Sequence, residues 1–212
     1  MKESTSKEKI LKKIREALIE PSAEVPPLVD FTSPIYNTST EPLEIEFAQE
    51  FSKVDGKFVF CETPEEFATN FIEVAKEQKW TEIYCYNEKI RGLFTGSAIQ
   101  VKDKIWDVTE AKVAITNCEF LVARIGGVLM SSKLSSARKL AAIVDTHVVV
   151  AYTSQLVPDI KDGLNAIKEK YGERLPSLIY LATGPSRTAD IEKTLVMGAH
   201  GPKEIYVFLI DG

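Results

Sequence analysis

Apolar residues recur along this chain with two different periods, and the change from one to the other predicts its architecture. Over residues 6–20, Ile10, Leu11, Ile14, Ala17 and Leu18 fall on one stripe among lysines and glutamates, the spacing of an amphipathic helix. The following segment, to about Pro42, carries Pro21, Pro26, Pro27 and Pro34 among Ser and Thr and reads as an extended arm. From about Lys57, short β-rich runs alternate with helical patterns, the mark of a sheet covered by helices. KFVFCE is a strand. PEEFATNFIEVAKEQKW is a helix with Pro64 at its first position, where a missing N–H does no harm, and EIYCY is the next strand. Together they predict a βαβ unit with a right-handed crossover.

Further along, a short helix is expected over 89–94, and 99–108 has no clear period. AKVAIT, FLVARIGGVLMSS and THVVVAY are predicted strands. Residues 157–171 are amphipathic through Ile160, Leu164 and Ile167, with Gly172 as the stop. SLIYLATG is predicted as a strand, TADIEKTLVMGA as a helix ending near Gly198, and KEIYVFLI as a last buried strand. Some strands after Lys112 lack helix-length connections, so the pattern predicts an α/β fold with a mixed, largely parallel sheet. The expected division is an N-terminal helix and proline-rich arm over 1–42 and an α/β domain over 43–212.

Composition narrows the functions. The chain has 212 residues, 44% hydrophobic and 27% charged, with a formal net charge of −5. Such a chain offers no global field for a polyanion, so nucleic acid is not an expected partner. Short-range groups still suffice for a small anion. No apolar run follows the first lysines and the longest apolar stretches are strand-sized, so neither a secretory leader nor membrane insertion is expected. Cys61, Cys85 and Cys118 lie far apart without a C-x-x-C spacing, which predicts buried reduced thiols in a cytoplasmic protein and no cluster or zinc site of its own.

The strongest local constellation is SLIYLATGPSRTADIEKTLVMGAHGP. A strand running into Gly184-Pro185 and a helix beginning beside Ser186 would set free helix N–H groups at the carboxyl end of a sheet, where open α/β folds place ligands. Arg187 adds a planar cation that fits a carboxylate or phosphate, and Ser186 and Thr188 add hydroxyls. The same residues also serve as an ordinary helix start, with Asp190 and Glu192 complementing the helix dipole. His200 and Asp190 are the candidate proton-moving groups, although a turn histidine also caps helix carbonyls. With two histidines in the chain, a histidine metal site is not expected, and His147 reads as a strand-end residue. A second glycine-bearing bend, Gly126-Gly127, precedes a basic, hydroxyl-rich loop that includes Ser131 and Arg138. It is either the opposite wall of the anion site or a solvated turn.

The chain has no G-x-G-x-x-G, no G-x-x-x-x-G-K-[ST] and no G-x-S-x-G, which disfavours a self-contained dehydrogenase, NTPase or serine hydrolase. The run GPSRTADIEKTLVMGAHGP, together with TSQLVPDIKDGL and the N-terminal helix and arm, resembles the LUD-domain family over most of the chain. That resemblance implies a three-layer α/β domain similar to the sugar-phosphate isomerase and CoA-transferase group. It also implies work alongside two iron–sulfur partner proteins that oxidise L-lactate to pyruvate, with this chain the subunit that carries no cluster or other cofactor. The chain departs from the family at Ala123-Arg124-Ile125-Gly126-Gly127, where a Glu-Thr-Gly-Thr-like turn is usual, and at Val144-Asp145-Thr146, where Pro-Pro usually precedes the histidine. Arg124 cannot serve as the carboxylate base or nucleophile of the related transferases.

Three functions follow as expectations. The first is an accessory subunit of an iron–sulfur L-lactate oxidation system, with an anion site near Ser186-Arg187. The second is a free-standing enzyme of the isomerase and CoA-transferase-like group, acting on a phosphorylated or CoA-linked metabolite. The third is an interaction module working through residues 1–42.

Overall fold

Two apolar runs, 146–152 and 204–210, form the middle of the fold in a computed structural model that describes residues 5–19, 36, 39–103, 111–134, 140–191, 194–197 and 201–212, with the backbone alone at 17–19, 188–191 and 194–197. They are strands β7 (Thr146–Tyr152) and β12 (Glu204–Ile210), buried along nearly their whole length. Continuous burial is what a strand covered on both faces requires, and it explains why neither run alternates. Around them lie β1 (Lys57–Cys61), β4 (Val113–Asn117), β2 (Ile83–Tyr84) and β3 (Val101–Lys102), in the order β1-β12-β7-β4-β2-β3. Every neighbouring pair is parallel.

Three layers result. On one face, α3 (Pro64–Glu77) and α4 (Glu88–Gly92) enclose an aromatic cluster in which Phe67 meets Phe208 at 5.2 Å and Phe71 meets Phe94 at 5.1 Å between ring centroids. α3 begins as its sequence predicts. Thr63 Oγ1 accepts the Glu66 N–H at 3.1 Å, Glu66 Oε2 accepts the Glu62 N–H at 2.6 Å, and Pro64 occupies the first turn.

The opposite face is covered by α2 (Leu43–Lys53), α5 (Leu140–Ile143) and a four-stranded sheet ordered β8-β5-β6-β9. Its strands are β5 (Phe120–Val122), β6 (Gly127–Ser131), β8 (Leu156–Val157) and β9 (Ile179–Ala182). Val149, Ala151, Val207 and Leu209 of the large sheet pack there on Phe47, Phe51, Leu121, Val128 and Met130. α6 (Ile160–Tyr171) backs the small sheet through Ile167 against Val122 and Leu129, and stops at Gly172 with φ +53°.

Several expected elements change place. β1 and β2 are parallel members of one sheet, but β12, β7 and β4 lie between them, so they are not neighbours. The run 120–132 is not one strand. A 3-10 turn over Ala123–Ile125 and Gly126 at φ +55° fold β6 back antiparallel on β5. Gly126 also has no room for a side chain, since a Cβ there would lie 2.3 Å from the Phe51 amide nitrogen. Mixed pairing is thus confined to the small sheet, where β9 pairs antiparallel with β6 and β8 pairs parallel with β5. The helix expected over 188–199 is instead an antiparallel hairpin of β10 (Arg187–Ile191) and β11 (Thr194–Met197), with Arg187 opposite Met197 and Thr188 opposite Val196.

The chain divides into two compact units, Met1–Thr38 and Ser39–Gly212. In the first, α1 (Ser6–Ile19) opens with reciprocal bonds between Thr5 and Glu8, and Ile10, Leu11 and Ile14 of its apolar stripe are exposed. Most of the proline-rich arm lies outside the described residues. Among those residues, no helix is long and apolar enough to cross a membrane.

Candidate functional site

Strand alternation sends His147, Val149 and Ala151 of β7 toward the small sheet, and at the amino end of β7 that face borders a cavity of about 320 Å³. Ala141 and Ala142 of α5, Tyr180, Leu181 and Ala182 of β9, and the turn residues Gly184, Ser186, Gly201 and Pro202 complete its lining. The turn on one side is tied to the chain entering β12, because the Ser186 N–H donates to the Pro202 carbonyl at 2.8 Å.

His147 is 1% exposed and Thr116 is fully buried, and their side chains meet at 2.8 Å between Nε2 and Oγ1. Burial pushes the imidazole down to about 4, so the ring is neutral near pH 7. A neutral ring carries one proton. The bond runs either from the Thr116 O–H to Nε2, with the ring proton on Nδ1, or from Nε2–H to Oγ1, according to the tautomer. Tyr180, on the facing sheet, donates its hydroxyl to the Met130 sulfur at 3.2 Å, and burial pushes its phenol up to about 12.

Of the sequence-predicted residues, Gly184 and Ser186 reach this cavity. Gly184 is held at φ +81°, where a Cβ would lie 2.3 Å from the Val54 carbonyl oxygen, so its identity is required by packing. Arg187 is more than one-third exposed and pairs with Asp55 on the surface. Thr188 and Asp190 lie on β10, where backbone amides belong to a strand, so the free helix N–H groups expected there do not exist. The carboxyl-end placement fails as well. The strand before Gly184 belongs to the small sheet, and the cavity opens at the amino ends of β7 and β12.

Gly126 and Gly127 do not form an opposite wall, since they pack against Phe51 and Leu181 respectively. Ser131 faces away toward α6 and donates to Glu119 Oε1. Arg138 and His200 lie outside the described residues.

Two polar clusters escaped the sequence reading. Glu119 is 1% exposed, and its carboxylate accepts from Ser131, from Tyr171 Oη at 2.8 Å and from Lys170 Nζ at 2.8 Å. Burial acts to raise its pKa, but the bonds from Lys170, Ser131 and Tyr171 outweigh it and hold the carboxyl below its ordinary value. The available signal was a lone acid beside the apolar run FLV. Arg124, the departure from the family turn, donates from Nε and Nη2 to Asp159 at 2.7 and 2.9 Å, and Asp159 caps α6. Its chemistry is thus that of a bidentate clamp between the hairpin turn and a helix start. All three cysteines are buried and unpaired, and burial pushes Cys85 to about 11 and Cys118 to about 12. Among the described residues, no group of three His, Cys, Asp or Glu side chains is placed to hold a metal ion.

Comparison with known proteins places these features in a family. A protein from Bacillus licheniformis named Lactate utilization protein C is 30% identical over 137 residues, covering 58% of this chain and 57% of that one. The Bacillus subtilis protein of the same name is 33% identical over 113 residues, covering 52% and 47%. The Escherichia coli K12 protein named Uncharacterized protein YkgG is 32% identical over 112 residues, covering 51% and 48%. The chain thus spans about half the length of these relatives. A crystal structure of a DUF162 family protein from Deinococcus radiodurans superposes with a TM-score of 0.57 at 16% identity, covering 79% of this chain and 96% of that one, and bears out the three-layer α/β fold. The LUD domain model matches residues 5–210, nearly the whole length of the molecule, and the chain belongs to the LUD domain family.

Proposed function

We propose that the chain is an accessory component of a lactate-utilisation system and holds a small organic anion in the cavity beside Ser186. The observation that carries this reading is the family match across residues 5–210, joined to relatives whose printed name is Lactate utilization protein C. In this reading the chain supplies a metabolite site and docking surfaces, and the iron–sulfur clusters belong to partner subunits. Its own cysteines support that division, because burial raises all three thiols and a protonated thiol is a poor cluster ligand. The cavity, at about 320 Å³, suits a short acid better than a CoA ester, which favours this reading over the transferase-like one.

Arg187 follows Ser186 in sequence but is not part of the cavity lining, and its exposed pair with Asp55 is of a kind worth about 0–1 kcal/mol. The test is growth of a strain lacking the gene on L-lactate as sole carbon source. We expect growth to be lost and to be restored by the parent gene. Normal growth of the deletion strain would refute the assignment.

A further inference from the structure

We propose that His147 recognises the bound molecule directly: with Nε2 engaged by Thr116, it donates from Nδ1 to a carbonyl or carboxylate oxygen of a short-chain organic acid. This rests on the reading of the inter-sheet cavity as a metabolite site, and it names the atom that reads the ligand.

The geometry supports the choice in three ways. The imidazole is 1% exposed yet lines the cavity, so its polar edge has the cavity as its outlet. Among the described residues, its hydrogen bonding is confined to Thr116 through Nε2, which leaves the Nδ1 proton to be met by something else. An oxygen acceptor in the cavity meets that proton. The remaining walls select the rest of the molecule. Ala141, Ala142, Leu181 and Pro202 offer an apolar lining that accommodates a methyl or methylene group. Among the described residues the lining holds no carboxylate that would attract a cation in place of an oxygen acceptor. Thr116 acts through the ring as a positioning residue, because its hydroxyl fixes which nitrogen carries the proton.

The experiment uses the purified full chain and pyruvate, L-lactate and propanoate as probes. Long-range proton–nitrogen NMR reads the tautomer of both histidines, and His147→Gln identifies which signals belong to His147. We expect the neutral Nδ1–H tautomer, with that proton's resonance moving as a probe is added. By calorimetry, His147→Leu should weaken binding at least about tenfold. His147→Gln, which keeps an N–H donor, should stay within about threefold, and Thr116→Val should weaken binding and mix the tautomers. A larger loss for pyruvate than for propanoate in His147→Leu assigns the contact to the ligand carbonyl, and equal losses assign it to the carboxylate. An Nε2–H tautomer in the parent protein, or unchanged binding in His147→Leu while the parent binds, overturns the role of His147 and leaves the cavity reading intact. If the parent binds none of the probes, both fall together.

Discussion

The buried imidazole has a thermodynamic signature that needs no ligand. An unfolded histidine titrates near 6.5, whereas His147 is pushed down to about 4 in the folded chain. Between those values the unfolded chain takes up a proton that the folded chain refuses, so stability falls as pH falls through that window and levels off below it. The expected loss between pH 7 and pH 5 is about 2 kcal/mol. Urea unfolding at the two pH values, in the parent and in His147→Gln, isolates it. An equal pH response in the two proteins would mean that His147 is not held neutral. The ring also shows where local reading stops. A histidine opening the run VVVAY reads as a strand end, and its position between two sheets depends on residues far away in the chain, Thr116 on β4 and Tyr180 on β9.

At the scale of elements, the clasp around Glu119 joins α6 to the small sheet. Its carboxyl is held below the ordinary range, so it contributes stability above the unfolded value, and that contribution is lost as pH falls through the folded value. Lys170 is half exposed, which discounts its pair with the buried acid to about 1–2 kcal/mol. Lys170→Met should lose that much and move acid unfolding to higher pH, measured by circular dichroism across the acid range. An unmoved midpoint would show that Ser131 and Tyr171 satisfy the carboxylate without it. The hairpin β10–β11 carries the opposite lesson about legibility. Ile191 and Leu195 have helical spacing, but TLVM also suits a strand, and cross-strand pairing of 187–188 with 196–197 decides the outcome.

For the molecule as a whole, the cores described above lie within residues 39–212, from Phe47 on α2 to Ile210 on β12. A protein lacking residues 1–38 is expected to fold with a thermal midpoint within a few degrees of the parent, about 1 kcal/mol or less. Scanning calorimetry checks this, and a loss of cooperative unfolding would show that the first unit completes the core.

The strand–helix–strand run over 57–86, the helix over 160–171, the strong burial of THVVVAY and KEIYVFLI, the buried thiols and the family signature were all readable from the chain itself. Each depends on local periodicity or on residue type, which travel with the sequence. Neighbourhood does not. That β12 separates β1 from β7, that 120–132 folds into a hairpin, that β9 joins a second sheet and that a cavity opens at the amino ends of the strands were settled by tertiary structure. Strand pairing and close packing join residues more than a hundred positions apart, and the spacing of apolar residues within one segment carries no record of the segment it will meet.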